Sequence, residues 1–249
     1  ERSTLEFGNA SISIVYLMKK VLILLLISFA GYSQQNFFNV PSSDITKAKH
    51  VFFQQQLNFI SSGFQSSTTF CYGLGKNYEI GFNVIGVTVD YAASLNDNAG
   101  TFMVMNGQKK WDVSPAFSAA VGGQIGLSSL ADGGAYAYSN GVYKLENTKL
   151  VGGLYYTSDA YFGPESRGLN ATGVLDKFGF QAGIERNLWK EKLLFQADFI
   201  SGKHSLGEVV IGGAYFISKN VVLSAGYQIP TMGSKSQDAV VFEITYIPL

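Results

Sequence analysis

A single cysteine, Cys71, serves all 249 residues, which excludes an intramolecular disulfide and a thiolate metal site. Histidine is nearly as scarce, with only His50 and His204 present. His50 opens the first expected strand, and His204 falls in an expected loop at the opposite end. The two are therefore not expected to share a metal or a catalytic triad. Ser205 adjoins His204 only in sequence, and each imidazole reads as a solvated side chain. No enzyme activity and no cofactor are expected. Gly152-Gly153 and Gly212-Gly213 precede no helix, so they are not phosphate loops. They suit strand positions where neighbours approach closely.

Charge is the next scarcity. Charged residues make up 14% of the chain, against about 25% in a soluble domain. Eighteen Lys and Arg balance eighteen Asp and Glu, so nothing in the charge points to a nucleic-acid partner. Only 5 prolines occur, but 28 glycines and 14% aromatics do. The polar half is Ser, Thr, Asn, Gln and Gly rather than Lys and Glu. Such a chain makes a poor soluble surface. It suits a wall with lipid on one side and a weakly charged lumen on the other.

Long apolar runs are also missing, apart from Val21 to Ala30. That run is about ten residues, too short for the roughly 20 that span a bilayer as a helix. It follows Met18-Lys19-Lys20 and precedes Gly31 and Ser33, small residues at the −3 and −1 positions of a cut before Gln34. Residues 18–33 thus have the layout of a secretory signal peptide. No cysteine follows, so it is not a lipoprotein signal. Residues 1–17 precede Met18 and read as an upstream or non-native leader.

From Lys49 onward, short period-2 runs alternate with turn clusters. The expected strands are 49–61, 67–75, 78–90, 100–108, 114–128, 135–145, 148–158, 173–186, 192–201, 207–217, 221–229 and 238–247. In 238–247, Val240, Phe242, Ile244 and Tyr246 oppose Glu243 and Thr245. In 192–201, Leu193, Phe195, Ala197 and Phe199 oppose Gln196 and Asp198. The polar face is often Gly, Ala or Ser, which relieves crowding inside a narrow closed barrel. A soluble sandwich would carry its bulky residues inward instead. Short connections (75–77, 109–112, 146–147, 187–191, 218–220) alternate with longer ones (62–66, 91–99, 129–134, 159–172, 202–206, 230–237). That pattern puts short turns and both termini on the periplasmic side. Tyr78, Tyr91, Trp111, Tyr136, Tyr138, Tyr155, Tyr156, Trp189 and Tyr246 lie near strand ends and are expected to form interfacial girdles. The fold class expected is all-β: an antiparallel up-and-down transmembrane β-barrel of about twelve strands over 49–249.

Parity places Glu79, Lys177, Gln181, Glu185, Gln196, Asp198, Glu208, Gln228 and Glu243 toward the lumen. Two readings stand side by side. The carboxylates could favour cations along a permeation path, or the polar set could be a network that holds a narrow barrel closed. Residues 34–48 are not strand-like. They read as a periplasmic tether before strand one, with a plug inside the lumen as the alternative. The loop 159–172, with Tyr161-Phe162-Gly163-Pro164 and Arg167, reads as ordinary loop variation, with a constriction as the alternative.

The Lys-Lys signal ending in Ser-Gln-Gln, the run Asn39-Val40-Pro41-Ser42-Ser43-Asp44-Ile45 and the run Phe52-Phe53-Gln54-Gln55-Gln56-Leu57-Asn58 resemble small outer-membrane barrels of Bacteroidetes-type bacteria. Some of these are grouped with barrel transporters linked to phenol degradation. The resemblance implies a barrel that passes small, in part apolar, molecules, and it carries over no catalytic residue. The expected function is passage of small solutes through the outer membrane, with membrane lipid and a small-molecule solute as partners. The alternative is a structural or accessory barrel with a closed lumen, acting through its loops. The oligomeric state and the solute are left open.

Overall fold

The computed structural model describes residues 36–91, 102–127, 134–158, 161, 177–189 and 192–248. The leader and the signal segment lie outside them. Twelve antiparallel strands form one closed barrel: β1 (Val51–Ile60), β2 (Gly63–Gly75), β3 (Tyr78–Asp90), β4 (Phe102–Asp112), β5 (Phe117–Gly126), β6 (Ala135–Lys144), β7 (Thr148–Thr157), β8 (Phe178–Trp189), β9 (Leu193–Ile200), β10 (Glu208–Phe216), β11 (Val221–Pro230) and β12 (Ala239–Tyr246). Each strand pairs with its sequence neighbours. The wall closes where β1 meets β12, from Phe53 opposite Tyr246 to Phe59 opposite Val240. Among the described residues every strand has a partner on both sides, so the barrel has no edge strand.

Alternation explains the two faces. Along β12, Ala239, Val241, Glu243 and Thr245 are buried, whereas Val240, Phe242, Ile244 and Tyr246 are exposed. The same holds on β9, where Leu194, Gln196, Asp198 and Ile200 are the buried set. The outer surface is dense in exposed Phe, Leu, Ile, Val and Tyr, with Phe178, Leu154 and Ile125 all more than half exposed. A continuous apolar belt of this kind is a poor partner for water and a good one for hydrocarbon. Tyr72, Tyr78, Trp111, Tyr143, Tyr215 and Tyr246 ring its turn end on the outward face. Lys109 Nζ sits 3.9 Å from the Tyr78 ring centre, a cation–π contact on that rim.

Several boundaries differ from expectation. The connection expected over 62–66 is a two-residue turn, because Ile60 pairs with Gly63 and β2 begins there. Lys109 to Asp112 belong to β4, paired with β5, so that turn is 113–116. Asn187 and Trp189 extend β8 and pair with β9. In each case cross-strand pairing carries the ladder through polar residues that read locally as turn. At Lys76-Asn77 the turn chemistry is as read: φ values of 51° and 61° make a two-residue type I′ hairpin.

Tyr136, Tyr138 and Tyr155 correct the girdle expectation. They are buried and belong to an interior cluster with Phe37, Val40, Val104, Val142, Val151, Tyr161 and Ile200. Proximity to a strand end does not reveal the face, whereas parity does. Strands β6 and β7 carry these tyrosines on the same parity as Asn140 and Lys149.

Candidate functional site: a lumen filled by the N-terminal segment

Residues 36–46 pack against the inner wall of the barrel, whereas Lys47 and Ala48 are exposed. Phe37, Phe38, Val40, Ser42, Ser43 and Thr46 are all buried. The segment turns tightly at its tip, where the Phe37 N–H donates to the Val40 carbonyl at 3.1 Å and Asn36 bridges Pro41. It then descends along the wall and joins β1 beside Gly73, which Ala48 bridges in parallel.

Carboxylates hold the upper part. One oxygen of Asp198 accepts the Asn39 N–H at 2.6 Å and the Val40 N–H at 2.9 Å. Glu208 accepts the Asn39 side-chain amide at 2.6 Å. Lower down, Glu79 accepts both the Thr46 N–H and the Thr46 hydroxyl at 2.8 Å. Asn140 donates to the Pro41 carbonyl at 2.5 Å, and Gln108 to the Asp44 carbonyl at 3.2 Å. Ser43 and Ser118 hydroxyls meet at 2.5 Å. Buried polar groups need such partners, because each one left unmet costs about 1–3 kcal/mol.

Lysines hold the base. Lys149 Nζ lies 3.0 Å from Asp44 and 3.9 Å from Glu185, and Lys144 Nζ lies 3.3 Å from the other Asp44 oxygen. Lys149 also sits 4.9 Å from the Phe37 ring centre. The wall is shaped for the segment. A β-carbon added at Gly212 would lie 2.8 Å from the Phe38 ring, and one at Gly226 would lie 2.9 Å from it. A β-carbon at Gly73 would strike the carbonyls of Thr46 and Lys47. These inward glycines make the room that side chains would fill.

The parity set is placed as follows. Glu79, Gln181, Glu185, Gln196, Asp198, Glu208, Gln228 and Glu243 are all buried on the inner wall. Gln181 accepts from the Tyr136 hydroxyl at 2.9 Å and donates to Asn140 at 2.7 Å. Gln196 donates to Glu185 at 3.0 Å. Gln228 accepts from Asn58 at 3.0 Å and donates to Ser236 at 3.0 Å. Glu243 accepts from Gln54, and Glu208 also accepts from Ser236. Lys177 stands apart: it precedes β8, is half-buried, and its carbonyl accepts the Thr157 N–H at 2.7 Å. Sequence reasoning did not single out Asn39 and Thr46 as the groups that meet these acids, nor Asp44 as the partner of Lys149 and Lys144. It also omitted Lys149, whose inward parity beside Val151 and Tyr155 was a readable signal.

His204 corrects a further expectation. It is buried at the mouth of the lumen rather than solvated. Its Nε2 lies 2.7 Å from the Tyr155 hydroxyl, and its Nδ1 accepts the Leu206 N–H at 3.2 Å. The Tyr155 hydroxyl donates to the Ser201 carbonyl at 2.5 Å, so its one proton is committed there and Nε2 is the donor. The His204 carbonyl accepts from Ser234 at 3.0 Å, which ties the β9–β10 loop to the β11–β12 loop. His204→Ala removes the anchor of this loop. Tryptic cleavage after the exposed Lys203 is expected to rise about tenfold in limited proteolysis, since opening of the loop sets the rate. Unchanged cleavage would mean the loop is held by its backbone bonds alone.

Of the 159–172 loop, only Tyr161 lies within the described residues. It is buried, and its hydroxyl donates to Gln124 at 2.5 Å while its ring sits 5.6 Å from that of Tyr136. Burial pushes its phenol above the ordinary range, which keeps the hydroxyl a donor.

No protein-family model and no curated protein matches the chain. Among solved structures it is similar to the NanC porin, with a TM-score of 0.55 and 8% identity over 80% of this chain and 100% of that one. It is similar to the KdgM porin, with a TM-score of 0.53 and 8% identity over 80% of this chain and 99% of that one. It is also similar to the Ralstonia pickettii toluene transporter TbuX, with a TM-score of 0.52 and 10% identity over 87% of this chain and 96% of that one. At such identities the likeness is one of fold.

Proposed function

We propose that the chain is a bacterial outer-membrane channel for small solutes, stoppered by its own N-terminal segment. The observation that carries this reading is the independence of wall and stopper. The hydrogen-bond ladder is complete without residues 36–47, because β1 already pairs with β2 and β12. Withdrawing the segment breaks no strand pair and uncovers an inner face on which acids and amides stand beside an aromatic and aliphatic cluster. The apolar outer belt supports a lipid setting. The layout of residues 18–33 supports export, with removal of that segment before Gln34. The similar barrels include two porins and a toluene transporter, which supports passage of small molecules in general. The resemblance to Bacteroidetes-type barrels supports the same setting. Glu79, Glu185, Asp198, Glu208 and Glu243 are the groups that would line the uncovered path, with Gln181, Gln196 and Gln228 between them and Lys177 at its mouth.

The filled lumen favours a second reading, a closed barrel that acts through its loops. One variant separates the two. Ser43 and Ser118 are close enough for a disulfide when both are replaced by cysteine. In a planar bilayer, the oxidised S43C/S118C protein is expected to be silent, and reduction is expected to restore openings. Silence in both states would establish the closed barrel. Equal conductance in both states would mean that the segment does not govern the path.

A further inference from the structure

The stopper is itself a peptide, and the wall holds its main chain as well as its side chains. Asp198 takes the N–H groups of Asn39 and Val40. Asn140 and Gln108 take the carbonyls of Pro41 and Asp44. Every residue carries such groups, so these contacts do not depend on the side chains of the stopper. The two ends are distinguished by charge. Asp198 and Glu208 gather N–H donors at one end, and Lys149 and Lys144 hold a carboxylate at the other.

A free peptide offers the same pattern. Its α-ammonium is a cluster of N–H donors, its C-terminus is a carboxylate, and its main chain lies between them. Asn39 to Asp44 spans six residues, at most about 20 Å when extended. We infer that the lumen binds short zwitterionic peptides, of about four to six residues, in the place and chain direction of the stopper. The ammonium meets Asp198 and Glu208, and the carboxylate meets Lys149 and Lys144. Binding displaces the stopper, since both use the same wall groups. This inference rests on the proposal that the segment can leave the lumen. It adds the class of solute for which the segment stands in.

The test uses the full chain with Ser43→Cys. Ser43 is fully buried, so its replacement thiol reacts slowly with a bulky, hydrophilic maleimide while the segment is seated. Cys71 is also buried, and its background is read from the unsubstituted protein. The probes are pentaalanine and the same peptide acetylated at its N-terminus and amidated at its C-terminus. Millimolar pentaalanine is expected to speed labelling about tenfold, and the blocked peptide less than about twofold, because charged hydrogen bonds are the stronger ones. Equal acceleration by both peptides would overturn recognition of the charged ends. No acceleration by either would overturn the peptide site. Conductance of the reduced S43C/S118C protein is read separately. A conducting barrel whose labelling ignores peptides loses this inference alone. A barrel silent in both redox states loses the passage reading as well.

Discussion

Replacing Lys149 with alanine is expected to loosen the N-terminal segment by about 3–5 kcal/mol, the cost of breaking a buried ion pair from one side. The Lys149 side chain is 6% exposed and its partner Asp44 is 14% exposed, so water screens the pair poorly. Removing the ammonium leaves Asp44 and Glu185 as neighbouring carboxylates with most of their compensation gone. Lys144 remains 3.3 Å from Asp44, but it is 42% exposed and makes a weaker replacement. The loss therefore belongs at the lower end of that range, still about a hundredfold in the seated-to-released ratio. Maleimide labelling of the Ser43→Cys thiol reads it directly. Asp44→Ala alone should also loosen the segment, and the double variant should lose less than the sum of the two, because the pair is coupled. Additive losses, or labelling unchanged by Lys149→Ala, would mean that this ion pair is not what retains the segment.

The barrel was legible in the sequence because its cause is local. A period of two requires only neighbouring residues, and on β9 and β12 it separates the phenylalanines from Asp198 and Glu243. On the same parity Glu79, Asp198 and Glu208 are buried. What those carboxylates face was not legible. Asp198 meets Asn39 from 159 positions away, and Glu79 meets Thr46 across 33. No spacing rule connects a strand to an irregular segment whose bonds to the wall run through side chains such as Asp198, Glu79 and Asn140. His204 failed for a related reason. A loop of Gly, Lys and Ser reads as exposed, but its burial is set by Tyr155 on another strand and by the β11–β12 loop. The misplaced turns at 62–66 and 109–112 show the same competition in miniature. Polar residues suited to turns were drawn into the ladder by partners on the neighbouring strand.

One partial clue to the stopper did exist. A chain that builds a narrow barrel needs small inward residues, and Gly73, Gly212 and Gly226 are such positions, Gly212 also because a β-carbon there would lie 2.1 Å from the Ala225 carbonyl oxygen. A β-carbon at each would meet the segment itself: the Phe38 ring at Gly212 and Gly226, and the Thr46 and Lys47 carbonyls at Gly73. Inward glycine opposite an aromatic-bearing tail is thus a pattern that connects the two parts of the chain. It works through steric fit, whereas the acids and lysines work through charge and hydrogen bonding.

Asp198→Ala provides the complementary result at the other end of the segment. The carboxylate oxygen that it removes accepts two main-chain N–H groups, from Asn39 and Val40, at 2.6 and 2.9 Å. Each buried N–H left unmet costs about 1–3 kcal/mol, so together they weaken seating by about 2–6 kcal/mol. The ratio of seated to released segment should fall at least about thirtyfold. In the Ser43→Cys background, labelling should accelerate by that factor. In single-channel recording, the open fraction should rise in parallel. Asp198→Asn keeps one oxygen in place and should recover part of the loss, because an amide oxygen still accepts but without the charge. The order expected is therefore aspartate slowest, asparagine intermediate and alanine fastest. If labelling accelerates in that order while the bilayer remains silent, the segment is a removable lining of a closed barrel. If both rise together, Asp198 is the clasp of a gate, and the acids of the inner wall serve first to hold it shut.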